Sequence, residues 1–386
     1  MSGDYRRAAE AYSMLAASNP GNPELLSNAG VMWHLGGDDA RAVQSLRRAL
    51  ALNPNLAAAN LFQGLSLVRM GRANESISFL MKAYRADSQG ILPVLGLARA
   101  YVALRDYGRA SNFYHNAAGR DSANAEAWFG LGITYRHLLD SAAARLARLD
   151  PDASPAVLDN AARCDTAGLR PASNDTRVLA RVVSCYERLS LAALAKAAEL
   201  DPGSPRTRLL LGESLRDAGR INEAVPEYEA AIRIQPSLPA WLGLAVTYWK
   251  SGGLENALPP LRKALELAPD DADANELMAD ILVRLGEYAE AQRYVDRALH
   301  ANPHLVRVWW AQAKIHMAQD KPGLAEREIR KALPADADGT CYFLLHEALR
   351  KLGREEEARE ALKQFQRRRA RARGTPPKTA SLLPTP

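Results

Sequence analysis

Small and apolar residues return along this chain at a fixed interval of 34. Gly30, Gly64 and Ala98 are in step, and three residues after each of them stand Trp33, Leu67 and Tyr101. A second set keeps the same step: Ala42, Ser76 and Ala110, then Leu46, Leu80 and Tyr114, then Ala49, Ala83 and Ala117. Within each set the residues lie three or four apart, which places them on one face of a helix. Gly37 and Gly71 fall between the sets and Pro54 follows the second, where a chain must turn or a helix must stop. The pattern predicts two short antiparallel helices repeated every 34 residues. Such a pair cannot bury its apolar face alone, so neighbouring pairs must stack.

The fullest copy of the first set is WFGLGITY, with Trp128, Leu131, Gly132 and Tyr135 at helical spacing. At this period the pattern resembles the tetratricopeptide repeat, a helix–turn–helix unit that stacks into a solenoid. The resemblance covers about residues 3–372. It implies an all-α, right-handed superhelical solenoid that serves as a non-enzymatic protein-interaction scaffold, similar to bacterial members that organise assembly, secretion or regulation. The small residues of the two helices then mark where they cross closely, and the aromatic or Leu fills the space between them.

Residues 1–22 supply only a second helix, marked by Tyr5, Ala8, Tyr12 and Pro20, which leaves one side of Tyr12 and Leu15 uncovered. Two readings stay open: a natural half-repeat cap, or a start downstream of the true one. Three full units follow over 23–124. The next, 125–204, is 46 residues too long, so a helical insertion is expected there. Residues 140–149 continue its first helix, the stretch from Thr176 extends its second one backwards, and Ser154-Pro155 and Gly168 look like a helix start and stop. Five units fill 205–372, and 373–386 should be disordered. Cys164 and Cys185 lie within this insertion. They are read either as a disulfide, which needs Cα atoms within about 7 Å and an oxidising compartment, or as two unrelated buried thiols.

Charge changes the picture little. The formal excess of +6 is carried by the six basic residues from Arg367 onward, and the body holds 44 residues of each sign. That balance disfavours a nucleic-acid partner, which would need a basic stripe. The segment RRRARAR at 367–373 keeps a nucleic-acid or acidic-surface binder as the alternative; its plainer reading is a basic helix end that complements the helix dipole. A second alternative is an accessory subunit of a larger enzyme or of a secretion or assembly complex. No cofactor, metal or small-molecule substrate is expected. Gly130 and Gly132 sit inside a helix rather than in a phosphate loop, and His300 and His304 lack the glutamate of a zinc motif. The paired carboxylates Asp270 and Asp271, in a loop near Asp273 and Glu276, read as a solvated acidic edge. No apolar run reaches 18 residues, so no membrane span is expected. A cytoplasmic location is the default, and a periplasmic or secreted one follows if the true start lies upstream.

The resemblance also implies a binding face, in which the second, fifth, ninth, twelfth and thirteenth residues of each first helix point inward. Before the insertion these positions give Leu61, Leu65, Val68, Leu95, Val102, Phe129 and Ile133. That stripe is expected to take an amphipathic helix or extended peptide of a protein partner, unless tight curvature or the insertion buries it. After the insertion they give Arg206, Glu213, Arg216, Asp273, Asp280, Lys314 and Glu347, with Trp249 and Trp310 among them. These are expected to set orientation and specificity. The Lys and Asn clamp with which some members of the family hold a C-terminal carboxylate is missing: Ser27, Val31, Leu61, Leu65, Leu95 and Arg99 stand in its places.

Overall fold

A computed structural model describes residues 2–150, 164, 169, 171–336 and 339–373. Among these residues the regular elements are α-helices and a 3-10 turn at Leu333–Ala335. A single helix, α1 (Ser2–Ser18), comes first. Three hairpins follow: α2 (Pro23–Leu35) with α3 (Asp39–Leu52), α4 (Ala57–Arg69) with α5 (Ala73–Ala86), and α6 (Ile91–Ala103) with α7 (Tyr107–Arg120). The long pair is α8 (Ala125–Leu149) with α9 (Thr176–Leu200). Then come α10 (Pro205–Asp217) with α11 (Ile221–Ile234), α12 (Leu238–Lys250) with α13 (Leu254–Leu267), and α14 (Ala272–Leu285) with α15 (Tyr288–Ala301). The last pairs are α16 (Val306–Ala318) with α17 (Pro322–Ala332) and α18 (Thr340–Lys351) with α19 (Glu355–Arg373).

The chain divides into two compact units, Met1–Arg145 with Ala156–Pro202, and Leu146–Pro155 with Gly203–Pro386.

The turns explain why the hairpins form. Gly37, Gly71, Gly219, Gly252, Gly286 and Gly353 all close a hairpin with positive φ, between 73° and 85°. At the same point in the repeat, Arg105 and Asp320 adopt φ of 58° and 53° without the freedom of glycine. Asp38, Asp106 and Asp271 cap the following helices by accepting a backbone N–H three residues on, at 2.8 to 3.0 Å. Between the helices, small residues set the separation. A methyl group on Gly64 would lie 2.5 Å from Leu80 Cγ, and one on Gly132 would lie 2.5 Å from Leu194 Cγ. Leu46, Leu80, Leu194 and Leu261 are the buried residues that this close crossing accommodates.

In the long pair, both helices run 25 residues. The Ser190 hydroxyl donates to the Gly132 carbonyl at 2.9 Å, tying the helices at their crossing. Arg145 holds the segment leading into α9, donating to the carbonyls of Ala172 and Ser173 at 2.9 and 3.0 Å. Ser154, Pro155 and Gly168 lie outside the described residues, as do residues 374–386. On α1, Leu15 is exposed and Tyr12 half-buried.

Candidate functional site

The second unit contains a cleft walled by α10, α12, α14 and α16. Its lining follows the register of the helices. From α12 come Pro239, Leu242, Val246 and Trp249, the second, fifth, ninth and twelfth residues. From α14 come Asp273, Glu276 and Asp280, the second, fifth and ninth. Arg216 is the twelfth residue of α10 and Arg307 the second of α16. Gly243 and Leu277 complete the lining. Residues at these spacings share one helix face, so the face expected from sequence to point inward is the one that encloses this space.

The floor is apolar, formed by buried Leu242, Val246 and Leu277. One wall is acidic. Asp280, only 4% exposed, accepts from Trp249 Nε1 at 2.7 Å and from Arg284 Nε at 2.8 Å. Glu276 is 7% exposed and faces Arg307 Nε at 3.5 Å. The Arg307 guanidinium lies 5.8 Å from the centre of the Trp249 ring, within reach of a cation–π contact. Burial raises the Glu276 carboxyl above its usual range against the pull of Arg307, and burial together with Asp271 does the same for Asp273. At the other end Arg216, 8% exposed, donates to Asp217 Oδ1 at 3.0 Å. Lys250 lies 3.7 Å from the same carboxylate, its ammonium pushed down by burial and by Arg216.

These positions correct one expectation. Glu276, placed by the sequence beside a solvated acidic edge, is a buried member of the cleft, because the fifth residue of α14 faces the neighbouring first helix. Sequence reasoning also passed over Arg307, Leu242 and Val246, although the rule of inward positions, applied to every unit, selects all three. Trp310 is half-buried, with the Arg284 guanidinium 5.3 Å from its ring and no hydrogen-bond partner at Nε1. Glu213 is buried and Arg206 exposed, while Lys314 and Glu347 face each other at 3.6 Å.

In the first unit the corresponding face is largely closed. Leu65 and Leu95 are buried, at 8% and 3% exposed, as are the floor residues of the cleft. Leu65 packs with Leu80, Leu97 and Tyr101, and Leu61, Val68 and Val102 lie half-buried against that cluster. Phe129 and Ile133 are also half-buried. The reason is local: a methyl group on Gly96 would come within 2.8 Å of Leu80 and 3.0 Å of Leu65, so its absence lets α6 close over them. Beside the stripe lies a polar network. His34 Nδ1 lies 2.9 Å from Asp39 Oδ1 and 2.8 Å from Ser66 Oγ. Arg69 donates to Asp39 Oδ2 at 2.6 Å and to the His34 carbonyl at 2.9 Å.

Two further features bear on function. Cys164 and Cys185 form a disulfide with Cα atoms 5.3 Å apart. In the basic run, Arg368 donates to the Asp336 carbonyl and sits 4.9 Å from the Tyr342 ring, and Arg369 stacks 5.4 Å from Phe365. Those two arginines are engaged by the last hairpin. Gly130 and Gly132 lie against Tyr114 and Leu194, which is a packing role.

Comparison with known proteins agrees with the architecture. One form of the tetratricopeptide repeat family matches residues 2–57, 95–156, 188–239 and 209–272, together more than half of the chain, and another matches 248–315. The chain belongs to the tetratricopeptide repeat family. It is therefore an all-α repeat solenoid and a protein-interaction scaffold. Among other tetratricopeptide repeat proteins, it is 26% identical over 166 residues to the mouse anaphase-promoting complex subunit 7, a match covering 42% of this chain and 29% of the subunit. It is 28% identical over 137 residues to the rat DnaJ homolog subfamily C member 3, covering 35% of this chain and 27% of that protein. The chain thus matches less than a third of either relative's length. A solved structure of PilF from Pseudomonas aeruginosa covers 72% of this chain and 99% of its own, at 13% identity and a TM-score of 0.48. Among the described residues, no helix is long and apolar enough to cross a membrane.

Proposed function

We propose that this tetratricopeptide repeat chain is a non-enzymatic adaptor that holds an extended peptide segment of a protein partner in the cleft between α10, α12, α14 and α16. The observation that carries the reading is the coincidence of register and cavity. The inward positions of consecutive first helices, and almost no others, line one enclosed space with an apolar floor and charged walls. Apolar side chains of a peptide gain by leaving water for that floor, at about 25 cal/mol per Å². Polar groups on the walls fix its direction. Trp249 is the expected anchor, since a half-buried tryptophan held in place by Asp280 presents a large surface at little entropic cost.

The test uses the full chain and peptides selected on it from a random-peptide display library. Amide hydrogen exchange with and without a selected peptide should show protection concentrated in α12 and α14. Protection confined to α4 and α6, or a library from which no peptide is selected, would overturn the assignment.

A further inference from the structure

The charges of the cleft are unevenly matched. At the α10 end, Arg216 and Lys250 share Asp217, with Glu213 close enough to act on Arg216. On α14, three carboxylates stand along one face: Asp273, Glu276 and Asp280. Asp280 is satisfied by Arg284 and the Trp249 indole. Glu276 has the Arg307 backbone N–H, and the Arg307 guanidinium only at 3.5 Å from a side chain that is 43% exposed. Among the described residues no cation lies within ion-pair distance of Asp273. Asp273 is half-buried, and a carboxylate partly withdrawn from water gains from a cation that completes it.

The position of Arg307 suggests what completes it. Its guanidinium is placed over the Trp249 ring and against Glu276 at once. An aromatic face beside a carboxylate is the surface that a cationic side chain seeks, especially where water is excluded. Below it, Leu242, Val246 and Leu277 offer an apolar floor to the residue alongside.

Resting on the cleft assignment above, we infer that the site selects a peptide segment carrying an arginine or lysine next to an aliphatic residue. The incoming cation takes the place over Trp249 between Glu276 and Asp273, and Arg307 swings away to solvent. Arg307 is thus a stand-in that partly offsets the acidic wall of the empty cleft and competes weakly with the ligand. An acidic segment would instead bring like charge against α14, and it could gain only Arg307, since Arg216 is already held.

Three versions of the full chain decide the matter, each checked by thermal melting for an intact fold: wild type, Asp273→Asn/Glu276→Gln, and Arg307→Ala. Peptides selected on wild type from the random library should be enriched in Arg or Lys beside an aliphatic residue. A synthetic peptide of that kind should bind the double variant at least tenfold more weakly, with its aliphatic preference intact. Arg307→Ala should bind it more tightly, by about threefold. This sign separates a displaced stand-in from a ligand-binding arginine, whose loss would weaken binding. Selected peptides rich in Asp or Glu, or weaker binding to Arg307→Ala, would overturn the inference while leaving the cleft as the site. Absence of any selected peptide would sink the cleft assignment and the inference together.

Discussion

The inner positions of α4 and α6 and those of α12 and α14 occupy the same places in the repeat, yet they do different things. In the first unit they are aliphatic and closed on one another: Leu65 and Leu95 are buried, and Leu61, Val68 and Val102 lean on the cluster beneath. In the second unit they are aliphatic only at the floor, and carboxylates, arginines and Trp249 stand above it. The helices also differ in approach, α12 and α14 meeting less closely than α4 and α6. The sixth residue of the later helix differs between the two pairs. Gly96 lets α6 settle onto Leu65 and Leu80, whereas Leu277 of α14 becomes part of the floor. An apolar stripe at inward positions is therefore no measure of an open groove. The residue beside the stripe, Gly96 here, helps to cover it.

The largest effect expected from this difference is on stability. Leu95→Asp places a carboxylate without a partner in a closed apolar cluster and should destabilise the first unit by on the order of 4 kcal/mol. A thermal melt should show it, and a melt unchanged from wild type would mean that the face is open after all. Next comes the disulfide, which closes a loop with a sequence separation of 21. Reducing it should cost the first unit about 3 kcal/mol, read by denaturant titration with and without reductant after mass spectrometry has established the bridge. Gly96→Leu should cost about 2 kcal/mol by overpacking, and it should also speed hydrogen exchange around Leu65 as α6 is forced away. If it melts like wild type, the spacing argument fails.

The smallest effect has opposite signs in the two units. Burial and then Arg69 hold the His34 imidazole below its usual range, with Asp39 opposing. The fold thus favours neutral His34, and its contribution is complete above the usual histidine range and lost as pH falls through it to the lowered value. Glu276 and Asp273 are raised, so their contribution is present when protonated and is lost as pH rises through the raised values. Wild type should accordingly lose stability relative to His34→Gln as pH falls through the usual histidine range, near about 6.5, toward the lowered value. Glu276→Gln should melt above wild type near neutrality, with the gap narrowing toward about pH 4. Slopes of the same sign for both pairs would show that these groups do not set the response.

Much of this was legible in the sequence, because one period governs it. Gly30, Gly64, Leu46 and Leu80 fix where helices cross, and Gly37 and Gly71 fix where they turn. The turns at Arg105 and Asp320 show that the period persists where the preferred residue is missing, since the hairpin's own hydrogen bonds, Asp106 N–H to the Tyr101 carbonyl and Lys321 N–H to the His316 carbonyl at 2.9 Å, close the turn there. The inward register was legible too, and it named Trp249, Asp273, Asp280 and Arg216 as members of the face. Which unit would hold the opening was not. That depends on how far apart successive first helices stand, a distance set by contacts such as Gly96 with Leu65, which belong to different repeats. Even that rule bends: Phe62 occupies the same position as Gly96, yet turns its ring onto His34 at 5.2 Å and lets α2 and α4 stay close. Glu276 was misjudged for the same reason, since a carboxylate near a loop looks solvated until the helix opposite is in place.

The central claim is that a partner's peptide enters the second unit rather than the first. Its most direct test is calorimetric titration of one library-selected peptide into wild type, Trp249→Ala and Val102→Arg, side by side and after each variant has been shown to melt cooperatively. Trp249→Ala should weaken binding by about thirtyfold, the loss of an anchor worth about 2 kcal/mol, while Val102→Arg should stay within about threefold of wild type. Loss of binding in Val102→Arg with Trp249→Ala unaffected would contradict the account and return the site to the first unit.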